Sequence, residues 1–77
     1  MSEKSYGYLY QDPNTYRYYV KLPDGRIHGY LTVGRKCEVM VGNRWVHTKL
    51  AYDEVCDFYY LEGFFDVILP QGIPIRL

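Results

Sequence analysis

Serine is nearly absent from this chain. Only Ser2 and Ser5 occur in 77 residues, beside two cysteines and two histidines. The side chains that carry most nucleophilic catalysis are therefore scarce, and both serines sit at the N-terminal end, where fraying is expected. No apolar run approaches the ~18 residues that a membrane-spanning helix needs. The opening Met1-Ser2-Glu3-Lys4 leads into tyrosines, not into an apolar signal core, so the expected location is cytoplasmic. Nor is there a surplus of charge. Nine Lys+Arg balance nine Asp+Glu, and the pI is near 6.7. A polyanion binder generally carries a basic excess, and this chain has none. No G-x-G-x-x-G or phosphate-loop pattern, internal repeat or linker divides it.

What is present is apolar and aromatic. Hydrophobic residues make up 48% and charged residues 23%, near the globular averages of ~45–50% and ~25%, so the chain is expected to fold as one small domain over residues 1–77. Ten tyrosines cluster in short runs. Turn residues interrupt them at Asp12-Pro13-Asn14, Pro23-Asp24-Gly25, Gly34, Gly42-Asn43, Asp53-Glu54, Gly63 and Pro70-Gln71-Gly72. The intervening segments suit strands and are too short for most helices. The composition and spacing predict an all-β fold of five or six strands with little or no helix. Charge is uneven along the chain. Residues 1–36 hold six basic and three acidic residues, and residues 37–77 hold three and six. In so small a domain these halves are expected to interleave and cancel.

The turns predict registers. Asp12-Pro13-Asn14-Thr15 suits a four-residue loop closing at Gln11 opposite Tyr16. Leu9 then faces Tyr18 and Gly7 faces Val20 on the inner side. Tyr10 meets Arg17, Tyr8 meets Tyr19 and Tyr6 meets Lys21 on the outer side. Gly42-Asn43 predicts a two-residue loop between strands Lys36–Val41 and Arg44–Tyr52. It pairs Val41 with Arg44, Val39 with Val46, Cys37 with Thr48 and Arg35 with Leu50, with Met40–Trp45 and Glu38–His47 on the opposite face. A third strand, Asp57–Glu62, sets Leu50 opposite Leu61 and Tyr52 opposite Tyr59, and brings Lys49 to Glu62. Val39, Val46, Leu50, Tyr59, Leu61 and Ile75 share an inward parity and are the expected core. Residues 64–69 do not alternate and are expected to form a loop or a single helical turn. The last strand, Gly72–Leu77, contains Pro74, which cannot donate to a ladder. It is expected at a sheet edge or pairing through its other face.

The succession Leu31-Thr32-Val33-Gly34, Glu38-Val39, Gly42-Asn43-Arg44-Trp45, Leu50-Ala51-Tyr52, Tyr59-Tyr60-Leu61 and Gly72-Ile73-Pro74-Ile75-Arg76 resembles the domain of unknown function family 5348. The resemblance spans residues 7–77 and departs most at residues 64–70 and 25–30. It implies a small SH3-like barrel of a kind found in Gram-positive bacteria and their mobile elements. It brings no catalytic residue, cofactor or partner.

Of the metal-ligating types, Cys37, Cys56, His28 and His47 are nine or ten positions apart, without the close Cys-x2–4-Cys pairs of structural zinc sites. They read as free thiols and surface histidines, with no metal or cofactor expected. Cys37 points inward and His47 outward, which separates the one conceivable dyad. Asp53, Glu54 and Asp57 read as turn formers. Enzyme is the least favoured class.

Binding remains, through either of two surfaces. The first is Met40, Trp45, His47, Lys49 and Tyr60, where tryptophan would anchor a protein partner, a second copy of the chain included. The bland alternative folds Trp45 over the barrel mouth against Phe64 or Phe65. The second is Tyr8, Tyr10, Arg17, Tyr19 and Lys21 with Tyr6, where rings and cations would meet single-stranded nucleic acid. Its bland alternative is cross-strand stabilisation of the hairpin. The favoured reading is a non-catalytic module with a protein partner. A nucleic-acid accessory protein of a mobile element and a small inhibitor of a host protein are the alternatives.

Overall fold

A computed structural model describes residues 6–65, 67 and 69–77. Seven strands follow one another: β1 (Tyr6–Gln11), β2 (Tyr18–Lys21), β3 (Ile27–Tyr30), β4 (Lys36–Val41), β5 (Arg44–Asp53), β6 (Phe58–Leu61) and β7 (Ile73–Arg76). All pairings are antiparallel, in the order β3-β2-β1-β7-β4-β5-β6. The described residues include no helix. The all-β expectation holds, with β3 raising the strand number to seven.

One apolar cluster unites Leu9, Val20, Leu31, Cys37, Val39, Leu50, Leu61 and Ile75. Val20 on β2 and Leu61 on β6 stand five places apart in the strand order, so the sheet must curl to bring them into one core. The result is a half-barrel, compatible with the small-barrel expectation, with β3 and β6 as its outermost strands. Val39, Leu50, Leu61 and Ile75 are buried as the parity predicts. Val46 and Tyr59 are instead half-buried and pack against the cluster from its margin.

The β4–β5 register is the one the sequence predicts, from Val41–Arg44 through Cys37–Thr48. Gly42 and Asn43 have φ of 59° and 66°. Positive values at both loop positions define the type I′ turn, whose twist matches the flanking strands. The ladder continues as Leu50 accepts from Gly34 and donates to Arg35. On β6, Leu61 lies opposite Leu50 and Tyr59 opposite Tyr52.

The β1–β2 hairpin is a correction. Leu9 pairs with Val20, Tyr10 with Tyr19, Gln11 with Tyr18 and Tyr8 with Lys21. The loop is residues 13–16, closed by the Asp12 N–H on the Arg17 carbonyl at 2.8 Å. Closure has moved one residue toward the C-terminus on both strands, with the loop length unchanged. Asp12 causes this, because its carboxylate accepts from the Asn14 N–H at 2.8 Å and its carbonyl accepts from Tyr16 at 2.7 Å. Tyr16 takes the left-handed conformation, φ 61°, that ends the loop. A one-step shift on both strands keeps every residue on its predicted face. The partners change and the parity survives. Gly7 is required here, since a Cβ would lie 2.6 Å from Val20 Cγ1 and 2.8 Å from the Lys21 carbonyl oxygen.

For β7 the edge alternative is corrected: the strand lies between β1 and β4, where it joins the two hairpins into one sheet. Proline is tolerated because Pro74 sits opposite Tyr8, while pairing to β4 uses only Ile75 and Arg76. Ile75, fully buried, is the apolar centre of the junction. Within 64–69, Phe64 and Leu69 pack against the core, while Asp66 and Ile68 lie outside the described residues.

Candidate binding face

Insertion of β7 makes the two predicted surfaces one. The outward positions of β1 (Tyr6, Tyr8, Tyr10) and of β4–β5 (Glu38, Met40, Trp45, His47) become neighbours through Pro74 and Arg76. One cross-strand row is Tyr6–Arg76–Glu38–His47, spanning four strands. A second is Tyr30–Tyr19–Tyr10 across β3, β2 and β1.

Trp45, half-buried, lies on β5 at the β4–β5 end of this face. Tyr6 meets it edge-on at 6.3 Å between ring centroids, and the Arg76 guanidinium covers it at 4.2 Å. Arg76 Nε donates to Glu38 Oε1 at 2.6 Å. That bond, and a further one with Tyr6, hold the guanidinium above the ordinary arginine range despite partial desolvation. His47 Nε2 lies 3.2 Å from Glu38 Oε2. Glu38 is buried beneath its partners, so a carboxylate fixes an arginine and the arginine fixes a tryptophan. Phe64 and Phe65 take no part in this. Phe64 packs on the core and Phe65 against Phe58 and Tyr60, so Trp45 does not fold over the barrel mouth against them. Met40 faces Trp45 directly, and Lys49 reaches Glu62 at 3.6 Å. Tyr60 falls into the Phe58–Phe65 aromatic cluster instead.

The tyrosine end of the face is tied to itself. Tyr10 and Tyr19 stack at 5.7 Å, and Tyr30 meets Tyr19 edge-on at 6.0 Å. Lys21 lies over Tyr10 at 5.8 Å, and Arg17, which closes the loop opposite Asp12 instead of Tyr10, lies over Tyr30 at 4.5 Å. The Tyr30 hydroxyl donates to Asp12 at 2.6 Å. The same bond draws the Asp12 carboxyl below its usual range and pushes the Tyr30 phenol up. Tyr8 is the exposed ring of this group with no ring or cation against it among the described residues.

The thiols lie elsewhere. Cys37 is buried in the core, and burial pushes it up to about 11, so the neutral thiol persists at ordinary pH. Cys56 is exposed in the β5–β6 turn, raised by a hydrogen bond with Asp53. Asp53 also accepts from the Val55 N–H at 3.0 Å, and Asp57 accepts from the Tyr52 hydroxyl. These are turn-forming roles. Among the described residues no group of three or more His, Cys, Asp or Glu is placed to hold a metal ion. No described helix is long and apolar enough to cross a membrane.

Sequence reasoning found Trp45, Met40 and His47 through the β4–β5 register, and the outer tyrosines through parity. It missed Arg76 and Tyr30 as members of the face. Arg76 alternates with Ile73 and Ile75, which marks it as outward-facing, but nothing local says which strands flank it.

Comparison with known proteins agrees on fold. A family model described as "Domain of unknown function (DUF5348)" matches residues 7–77. A crystal structure of a protein from Ruminococcus gnavus, a structural genomics target, is similar with a TM-score of 0.72 and 26% identity, covering 94% of this chain and 99% of that one. No curated protein matches.

Proposed function

The chain belongs to the DUF5348 family, and from that premise we propose that it is a non-catalytic binding module that recognises a protein partner through the outer face of its sheet. The observation that carries this reading is Trp45 fixed between Tyr6 and Arg76, with Arg76 anchored on buried Glu38. Tryptophan, tyrosine and arginine are the residues enriched in binding hot spots. Here they lose little side-chain freedom on binding, since their contacts already hold them.

Single-stranded nucleic acid is the second reading, favoured by the tyrosines interleaved with Arg17 and Lys21. Base stacking needs successive free ring faces. Tyr10 and Tyr19 stack on each other, while Lys21, Arg17 and Arg76 lie over Tyr10, Tyr30 and Trp45. Tyr8 offers a single open platform, which supports the protein reading over this one.

The test compares wild type with Trp45→Ala and with Arg17→Ala/Lys21→Ala in retention of partners from the native cell, each variant checked for an unchanged thermal midpoint. The protein reading predicts that Trp45→Ala weakens retention by ~2 kcal/mol or more. Retention that depends on Arg17 and Lys21, falls steeply with salt and disappears with nuclease would establish the nucleic-acid reading instead.

A further inference from the structure

Beside Trp45 the face ends in a groove of about 440 Å³, bordered by Lys36, Glu38, His47, Lys49, Glu62 and Arg76. Pairing between β4 and β7 reaches Glu38–Arg76, while β4 continues on to Lys36 against β5. The groove occupies that step, at the outer end of the Tyr6–Arg76–Glu38–His47 row.

Three of the bordering side chains are cations (Lys36, Lys49, Arg76) and two are carboxylates (Glu38, Glu62). Arg76 and His47 both address Glu38, and Lys49 addresses Glu62 at a loose 3.6 Å. Lys36 has no ion pair among the described residues. It also stands directly opposite Lys49 in the ladder. Like charges in directly opposed positions destabilise a sheet. The placement is unfavourable in the free protein and becomes favourable once an anion lies between the two ammonium groups.

Lys21, Lys36, Lys49 and Arg76 lie on strands of the binding face with Glu38 among them, whereas Asp24, Glu54 and Asp57 lie in turns and Asp53 at the last position of β5.

We infer that the groove receives a carboxylate side chain from an acidic segment of the partner protein, clamped by Lys36 and Lys49, while an apolar or aromatic residue of the same segment packs on Trp45. This rests on the protein-binding reading and specifies the partner's chemistry. A carboxylate fits better than a run of phosphates. Glu38 and Glu62 lie in the same groove and would oppose a continuous polyanion, while one carboxylate needs only the lysine pair. Glu62 then acts as an internal competitor for Lys49.

The probe is a fluorescent octapeptide of Glu and Asp around a central Phe-Leu pair, titrated by polarisation, with amide and indole shifts read by NMR. Controls are the same peptide with Lys replacing its acids, and an oligothymidine of equal charge. The acidic peptide should bind and shift the Lys36, Lys49 and Trp45 signals. Lys36→Gln should weaken it by roughly 2–5-fold, the size of an exposed ion pair. Glu62→Gln should tighten it by a similar factor, because it frees Lys49. Both side chains are exposed, so neither substitution threatens folding, and a thermal melt verifies this. Equal binding of the basic peptide, or no response to either substitution, overturns the inference. So does an acidic peptide that fails to bind. If partner retention from cells still depends on Trp45, the protein-binding reading survives that failure. Tighter binding of the oligothymidine overturns both.

Discussion

The two long hairpins of this molecule, β1–β2 and β4–β5, are built from similar strands but are closed in different ways. In β4–β5 two residues make the turn, both at positive φ, and only one ladder is consistent with that geometry. In β1–β2 a four-residue loop leaves two adjacent closures with the same facial parity. Side-chain bonds from Asp12 select one of them. A register held by backbone conformation is local and readable. A register held by side-chain capping depends on which of two near-equal arrangements gains one more hydrogen bond.

The largest perturbation strikes the strand that both hairpins share. Ile75→Ala empties the fully buried junction on β7 and should destabilise by ~2–5 kcal/mol. Denaturant unfolding should show one cooperative transition, because β1 and β4 lose the same neighbour. Separate transitions for the two hairpins would break the picture of a single sheet joined by β7.

Next in size is an alkaline effect that originates at Cys37 on β4. The Cys37 pKa of about 11 in the folded state exceeds its unfolded value near 9. Its contribution is complete below the unfolded value and is lost as pH rises through the folded one. By linkage it amounts to about 2–3 kcal/mol. The fall in thermal midpoint above pH 9 should therefore be shallower in Cys37→Ala than in wild type, whatever the variant's own baseline. Identical alkaline profiles would mean that the thiol is not desolvated by the core.

The turns themselves sharpen the contrast. Gly42→Val places a β-branched residue at φ 59° and should cost ~1–2 kcal/mol. Asp12→Ala removes the selecting cap and the Tyr30 contact and should act at the β1–β2–β3 end of the sheet, with faster amide exchange at Asn14 and Tyr16 and unchanged protection in β4–β5. Equal loss of protection in both hairpins would show that the loop has no independent role in setting register.

The smallest effect is acid-limb behaviour at the first hairpin. The Tyr30 hydroxyl bond holds Asp12 below its usual carboxyl range, so its contribution is present above the unfolded pKa and disappears as pH falls through the lower folded one. Tyr30→Phe should move that loss to higher pH, as followed by the Asp12 side-chain resonance in an NMR titration. An unmoved titration would mean that the bond is not maintained in solution.

Inward and outward residues were legible throughout, because a strand's period of two assigns faces regardless of its partner. Leu9, Val20, Val39, Leu50, Leu61 and Ile75 follow that rule, and even the shifted β1–β2 register preserves it. The type I′ turn at Gly42-Asn43 was legible because φ is a local property. Pairings between strands distant in sequence were not. Pro74 reads as an edge signal, yet β7 lies inside the sheet, since the N–H that proline lacks is not needed where the β4 ladder stops at Ile75. The binding face was therefore half visible. The sequence determined that Trp45 and the tyrosines point outward. Tertiary structure alone decided that Arg76 lies over Trp45, that Glu38 fixes Arg76, and that the surfaces of the two hairpins are continuous. The reason is that parity is set by each strand's own backbone, whereas adjacency across β7 is set by which strands bury Ile75 between them.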